Sequence, residues 1–504
     1  MNIQSFLEHH GIQRNPFAEE DAQTDPVFKE HCIQSAYHPV WDKVYGDPAE
    51  PATAIVFGPK GSGKTAMRLQ IERHVREHNA NHPGRRIFLI RYDDFNPFLD
   101  HFRERLNFRV RRRPDRVLDA WRLWDHMDSI LCLAVTQLVD SLLDPRPVSE
   151  IEGRASERQG IGRVQGVDLQ RMDRTSARDL LLLACSYDQS TAGNFFGRWS
   201  TLRKRLGYRN WFVAWDAVLA VLTLAVVIGA GCYLGWTERA SLRQLLWGGG
   251  FLALLGTGPY LWRWCRCQWL AMGIRRHMRV GKREVGSMRK VLLGFPPRDL
   301  ASQPLPRFDR TDDRYELLNK LQLLLARCGY TGTIVLVDRV DEPHLTGGKT
   351  ELMRRFVWPL LDNKLLKHPG IGFKMMLPQE LYRDIEREER DFHERARLDK
   401  QNVISSFSWS GEALYDLARS RMVACGADPA SIDPRGLFDE KLSYQRLLAV
   451  FQSLRVPRHL FRFLYRVLVE HCQKYTDTTP RFVIDVETFE AVLAVYLREM
   501  DSSV

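Results

Sequence analysis

"AIVFGPKGSGKTAMRLQI", residues 54–71, is the stretch on which the fold turns. Its apolar opening, 54–57, reads as a short buried strand, and residues from Ala66 onward read as a helix. Between them lies Gly-x-x-x-x-Gly-Lys-Thr, written here by Gly58, Pro59, Lys60, Gly61, Ser62, Gly63, Lys64 and Thr65. Glycines let the backbone curl so that its N–H groups point inward around an anion. The helix start adds unpaired donors and a partial positive charge. In such a loop a lysine reaches the outer phosphates and a Ser/Thr hydroxyl turns to Mg²⁺. Lys64 and Thr65 are therefore the expected phosphate and metal contacts.

A second stretch, "IVLVDRVDEP" at 334–343, runs four apolar residues into an acid and then into two more. It reads as a buried strand ending in Asp338. A phosphate loop needs a carboxylate for Mg²⁺ from the end of a neighbouring parallel strand, and Asp338 is the expected one. Asp341 and Glu342 follow at three and four residues, and one of them, Glu342 first, is expected to polarise the attacking water.

This pair of motifs resembles the additional-strand P-loop ATPases: the AAA+ class and its signalling relatives, the STAND ATPases. The resemblance implies an α/β fold, a three-layer P-loop NTPase with a parallel sheet and a C-terminal helical lid. It makes "GFKMMLPQ" (372–379) a strand ending in a sensor, Gln379, and "NVISSFSW" (402–409) a further strand. "RVPRHLFRFLYRVLVEHC" (455–472) resembles the lid helix of these families, with Arg458 reaching the γ-phosphate. Arg395 and Arg397, in "FHERARLDKQN" (392–402), are the candidates for a finger inserted into a neighbouring subunit. "RNPF" (14–17) resembles a segment that precedes the phosphate loop in several bacterial relatives.

Between the two nucleotide motifs lies a run, 217–236, of twenty residues without a charge. That length matches a bilayer core at about 1.5 Å per residue. Trp211, Trp215 and Trp236 bracket it as interfacial anchors would. A second uncharged run, 245–262, has eighteen residues and is rich in glycine. Both nucleotide motifs must meet in one site, so the chain must leave and return: an even number of crossings, met by a two-helix hairpin. Charge agrees. Residues 197–209 carry five Lys/Arg and no acid, and 262–290 carry nine with one acid. The positive-inside bias puts both flanks in the cytosol. A P-loop ATPase with such an insertion resembles the KAP family. That match is architectural, since KAP proteins usually carry a tryptophan inside the phosphate loop where this chain has "GPKGSGKT".

The net charge of +11 is local. Residues 198–290 hold sixteen Lys/Arg against three acids, leaving −2 for the rest of the 504-residue chain. This favours anionic lipid headgroups over nucleic acid. Nine scattered cysteines give neither a disulfide framework nor zinc spacing and suit a reducing compartment.

The expected layout is an N-terminal leading segment (1–50), the first half of the ATPase core (51–125) and a helical insertion (126–196). The transmembrane hairpin (197–290), a return linker and helix (291–330), the second half of the core (331–410) and a helical lid or winged-helix-like end (411–504) follow. The expected function is a membrane-anchored, ATP-binding, Mg²⁺-dependent ATPase, with two spans in a bacterial inner membrane and its core and termini cytoplasmic. Self-association and a protein partner fit that reading. The rival readings are a slow-turnover nucleotide switch in bacterial signalling or defence, and a membrane scaffold that binds nucleotide without hydrolysing it.

Overall fold

The computed structural model describes every residue except 34–35, 144–171, 192–193, 209–214, 237–241, 302, 428–431, 477 and 503–504. Trp211, the polar stretch 144–166 and the loop joining the two apolar runs lie outside the described residues.

The fold is mixed α/β, mostly helical, around a five-stranded parallel sheet. Its strands are Ala54–Gly58 (β1), Arg86–Tyr92 (β2), Tyr330–Val337 (β3), Ile371–Pro378 (β4) and Asn402–Ile404 (β5). All five positions of β1 are buried, as expected of a central strand covered on both faces. The order is β2-β3-β4-β1-β5. β1 runs parallel to β4, with Ala54 opposite Lys374, and to β5, with Ala54 opposite Asn402. This corrects one expectation. The strand that carries Asp338 is not the neighbour of β1, because β4 lies between them. A second correction concerns β5, which ends at Ile404 instead of continuing to 409. Phe407 N still donates to Phe57 O at 2.8 Å, and there the chain leaves the sheet.

The chain forms two compact units. One comprises Met1–His82, Ile334–Val357 and Leu361–Val504; the other comprises Pro83–Thr333 and Trp358–Leu360. In the first, the leading segment and the helical end share a single apolar core. Phe6, Leu7, Ile12 and Phe17 are buried with Leu414, Phe451, Leu460, Phe463 and Phe489. Polar bonds reinforce it: Gln13 N donates to Cys425 O at 2.8 Å, and Arg421 Nε to Pro16 O at 2.7 Å. The helices of this end are Gly411–Ala424, Tyr444–Leu454, Pro457–Lys474 and Val486–Ser502. Pro457 opens its helix at the position where a missing N–H costs nothing.

The second unit is built on the helix Leu123–Leu143, with Thr311–Arg327 and Arg174–Tyr187 packed on it. Among the described residues, two helices are long and apolar enough to cross a membrane: Leu123–Leu143, which is 67% buried, and Trp215–Tyr233, which is 6% buried. Burial makes the first a core helix. The second apolar run, 245–262, lies inside a 36-residue helix, Leu242–His277. Its glycines, Thr257 and Pro259 dilute its hydropathy.

Trp215–Trp236 and Leu242–His277 pack against each other. Asp216 pairs with Arg263 at 2.7 Å. A Cβ on Gly256 would fall 2.3 Å from Thr223 Oγ1, so that glycine permits close approach of the helices. Moving from 216 to 223 on one helix is matched by moving from 263 to 256 on the other, which is the register of an antiparallel hairpin. Its outer faces expose Leu222 at 58% and Leu254 at 68%.

Candidate functional site

A cavity of about 420 Å³ opens at the C-terminal end of β1 in the first unit. Its walls bring together distant parts of the sequence: Lys60, Gly61, Gly63, Lys64 and Thr65 from the glycine-rich loop, Asp338, Asp341 and Glu342 from beyond β3, and Arg458 from the helical end. The leading segment contributes Glu20, Asp21, Asp25 and Phe28.

The loop holds its shape for local reasons. Gly61 and Gly63 adopt φ of +86° and +95°, the left-handed region that side chains disfavour. A Cβ on Gly58 would meet Ser62 Oγ at 2.7 Å and Phe407 Cβ at 2.8 Å. The helix Lys64–Asn81 then begins, with Met67 N donating to Gly63 O at 2.9 Å. Lys64 Nζ donates to Gly58 O at 2.6 Å and to Pro59 O at 2.9 Å. Burial pulls its ammonium below the usual lysine range, while Asp338 and Asp341 oppose that shift.

Asp338 is the junction of the site. Thr65 Oγ1 donates to its Oδ2 at 3.2 Å, although the two residues lie 273 positions apart. Arg339 N donates to its Oδ1 at 2.9 Å. Arg68 Nε stands 3.2 Å from Oδ2. Burial pushes the carboxyl upward and Arg68 pulls it back. Arg339 takes φ of +60°, a costly conformation for a side-chain-bearing residue. It turns the chain so that Asp341 and Glu342 face the cavity. Glu342 is 58% exposed at its side chain and lies 3.5 Å from Arg339. Burial raises its pKa, Arg339 lowers it, and Asp341 and Asp338 raise it.

Arg458 caps the loop from above. Its backbone N–H donates to Gly61 O at 3.3 Å, and its Nε is buried without a hydrogen-bond partner. A buried guanidinium donor on a cavity wall calls for an anion. Arg455, three residues earlier, takes φ of +64° and sets the entry to that helix.

The other candidates lie elsewhere. Gln379 Nε2 donates to Ser405 O at 2.7 Å; its neighbours Pro378 and Glu380, not Gln379, line the cavity. Arg395 lies over the Phe392 ring at 5.7 Å, and Arg397 Nε donates to Glu394 O at 3.3 Å, both outside the cavity walls.

Sequence reasoning missed three contributors. Trp409 Nε1 donates to Ser62 O at 2.8 Å, so a tryptophan braces the loop from outside it. His38 stacks on Phe407 with ring centroids 3.9 Å apart. Arg68 had one usable signal: it stands four residues after Lys64, one helical turn on.

Among the described residues there is no group of three or more His, Cys, Asp or Glu side chains fit for a metal ion. Thr65 and Asp338 offer two converging hard oxygens. That suits Mg²⁺, which takes one or two protein oxygens and fills its octahedron with phosphate and water. No family model, no curated protein and no solved structure matches this chain.

Proposed function

We propose that this chain is a membrane-anchored ATP-binding protein and Mg²⁺-dependent ATPase, a P-loop NTPase of the additional-strand class. One observation carries the reading: the Thr65 hydroxyl donates to Asp338 at 3.2 Å across 273 residues of sequence. That pairing of a loop hydroxyl with a strand-end acid is what a magnesium–triphosphate complex requires. The interposed strand β4 supports the same class, which is named for an added strand between these motifs.

The chain's own residues divide the work. Backbone N–H groups of 60–65 bind phosphate oxygens, and Lys64 turns from the carbonyls of Gly58 and Pro59 to the outer phosphates. Thr65 and Asp338 would hold the cation, which would supply neutralisation of charge on the phosphate oxygens. Glu342 takes a proton from the water that attacks the γ-phosphate, with ADP as the leaving group, and burial raises its pKa above the usual carboxylate value. Arg458 covers the γ-phosphate through its buried Nε.

The hairpin reads as the anchor. Two helices whose outer faces expose leucines and tryptophans are incompatible with water as their surroundings. The Asp216–Arg263 pair at one end supports a reading in which both flanks share one side, and their basic residues support the cytosolic side of a bacterial inner membrane. Anionic headgroups are the lipid partner of those flanks.

Detergent-purified protein tests this. Lys64→Ala is expected to lose about ten- to a hundredfold in ATP affinity, measured with a fluorescent analogue. Glu342→Gln is expected to keep binding and to lose about a hundredfold or more in hydrolysis. Equal ATP binding by wild type and Lys64→Ala would overturn the reading.

A further inference from the structure

We infer that Arg68 is an internal counter-ion that keeps the divalent-cation subsite closed until a phosphate chain enters. The inference rests on the proposed nucleotide reading and deepens it: it assigns an order of binding to that site.

Arg68 projects from the first turns of the helix that follows the loop, and its side chain is 3% exposed. It is shared between two acids. Nε stands 3.2 Å from Asp338 Oδ2, and Nη1 donates to Glu72 Oε1 at 3.0 Å. Asp338, 4% exposed at its side chain, directs that same Oδ2 to Thr65. The oxygen that would face a cation is therefore the one that faces the guanidinium.

The Asp338 contact is of a particular kind. It satisfies the distance of an ion pair, yet Nε is not aligned for a hydrogen bond there. At that distance the two charges attract strongly in a buried setting. A cation arriving alone would meet a carboxylate already neutralised, and a buried positive charge within a few ångströms. Repulsion between buried like charges at such range is several-fold stronger than in water. A triphosphate changes the balance. Its charges offset Arg68, and its oxygens complete the coordination that Thr65 and Asp338 leave open. The cation then binds only with nucleotide, and Glu72 keeps Arg68 satisfied as Asp338 turns to the metal.

Direct cation binding tests this in full-length protein in detergent, with Mn²⁺ as the probe read by electron paramagnetic resonance. Without nucleotide, Arg68→Met is expected to bind Mn²⁺ about tenfold or more tighter than wild type. Arg68→Lys, which keeps the charge, is expected to stay near wild type. Adding Asp338→Asn to Arg68→Met is expected to abolish the gain, which locates the ion. In wild type, saturating ADP is expected to tighten Mn²⁺ binding by about tenfold or more, an arm that needs no variant to fold.

Three results would overturn the inference: nucleotide-free Mn²⁺ affinity of folded Arg68→Met within about twofold of wild type, a gain that survives Asp338→Asn, or wild-type Mn²⁺ binding indifferent to ADP. Fluorescent-ADP binding, measured in saturating Mg²⁺ and again in EDTA, separates the two levels. If wild type binds no nucleotide, the reading of the site falls; if it binds nucleotide but shows no coupling, only the counter-ion role falls.

Discussion

Arg314 with Asp128, in the unit containing Pro83–Thr333, and Arg68 with Asp338, at the cavity of the other unit, are both buried ion pairs. Arg314 gives Asp128 both prongs of its fork, Nε and Nη2, each at 3.1 Å. Its remaining donors go to the carbonyls of Phe308, Arg310 and His277, and Tyr187 OH donates to Asp128 at 2.8 Å. Neither side chain is exposed at all. Arg68 instead divides itself between two acids, beside a cavity and a hydroxyl. A bidentate pair with every donor engaged has nowhere to go; a divided one can exchange partners. The first arrangement suits architecture and the second suits a site that must change its occupants.

Removing the carboxylate charge from each pair probes that difference most directly. Asp128→Asn strands a fully buried guanidinium, and the expected loss of unfolding free energy is about 3–5 kcal/mol, read by denaturant titration in detergent. Replacing both partners, Asp128→Leu with Arg314→Met, is expected to recover most of that loss, since a buried pair roughly offsets its own desolvation. Asp338→Asn is expected to cost only about 1–2 kcal/mol, because Arg68 retains Glu72, while cation-dependent nucleotide binding is lost. Equal stability losses for Asp128→Asn and Asp338→Asn would break the comparison.

How far the sequence revealed all this depends on whether the cause was local. The loop at 58–65 was legible because its glycines answer to backbone geometry a few residues away. Asp338 was legible as the polar end of an apolar run, and the helix at Pro457 through its resemblance to a lid helix. The position of β4 between β1 and β3 was not legible, because strand order is set by crossovers and not by the strands themselves. The roles of Trp409 and Phe407 were hidden for the same reason, since only the sheet brings residues past 404 beneath the loop. Leu123–Leu143 shows the limit most plainly. Its composition passes for a membrane span, and only its burial among Thr311–Arg327 and Arg174–Tyr187 makes it a core helix. The union of the first thirty-odd residues with the helices after 411 left no signal in spacing.

A third buried cation extends the comparison to its mildest case. Lys374, 1% exposed in the middle of β4, donates to Val44 O at 2.6 Å and Tyr45 O at 3.0 Å. Carbonyl dipoles replace a carboxylate here, and burial pulls the ammonium down to about 8. An unfolded lysine titrates at about 10.4. Between those values the folded chain has released its proton while the unfolded chain still holds one, so stability rises with pH across that window and is lowest below it. From about pH 7 to about pH 9 the expected gain is about 1 kcal/mol. Lys374→Met is expected to flatten this rise, since the remaining groups titrate alike in both proteins. If the two stability curves instead run parallel over that range, carbonyls alone hold the charge as well as a carboxylate does. The contrast between Arg68 and Arg314 would then have to be explained by access to the cavity and not by the partners each cation is given.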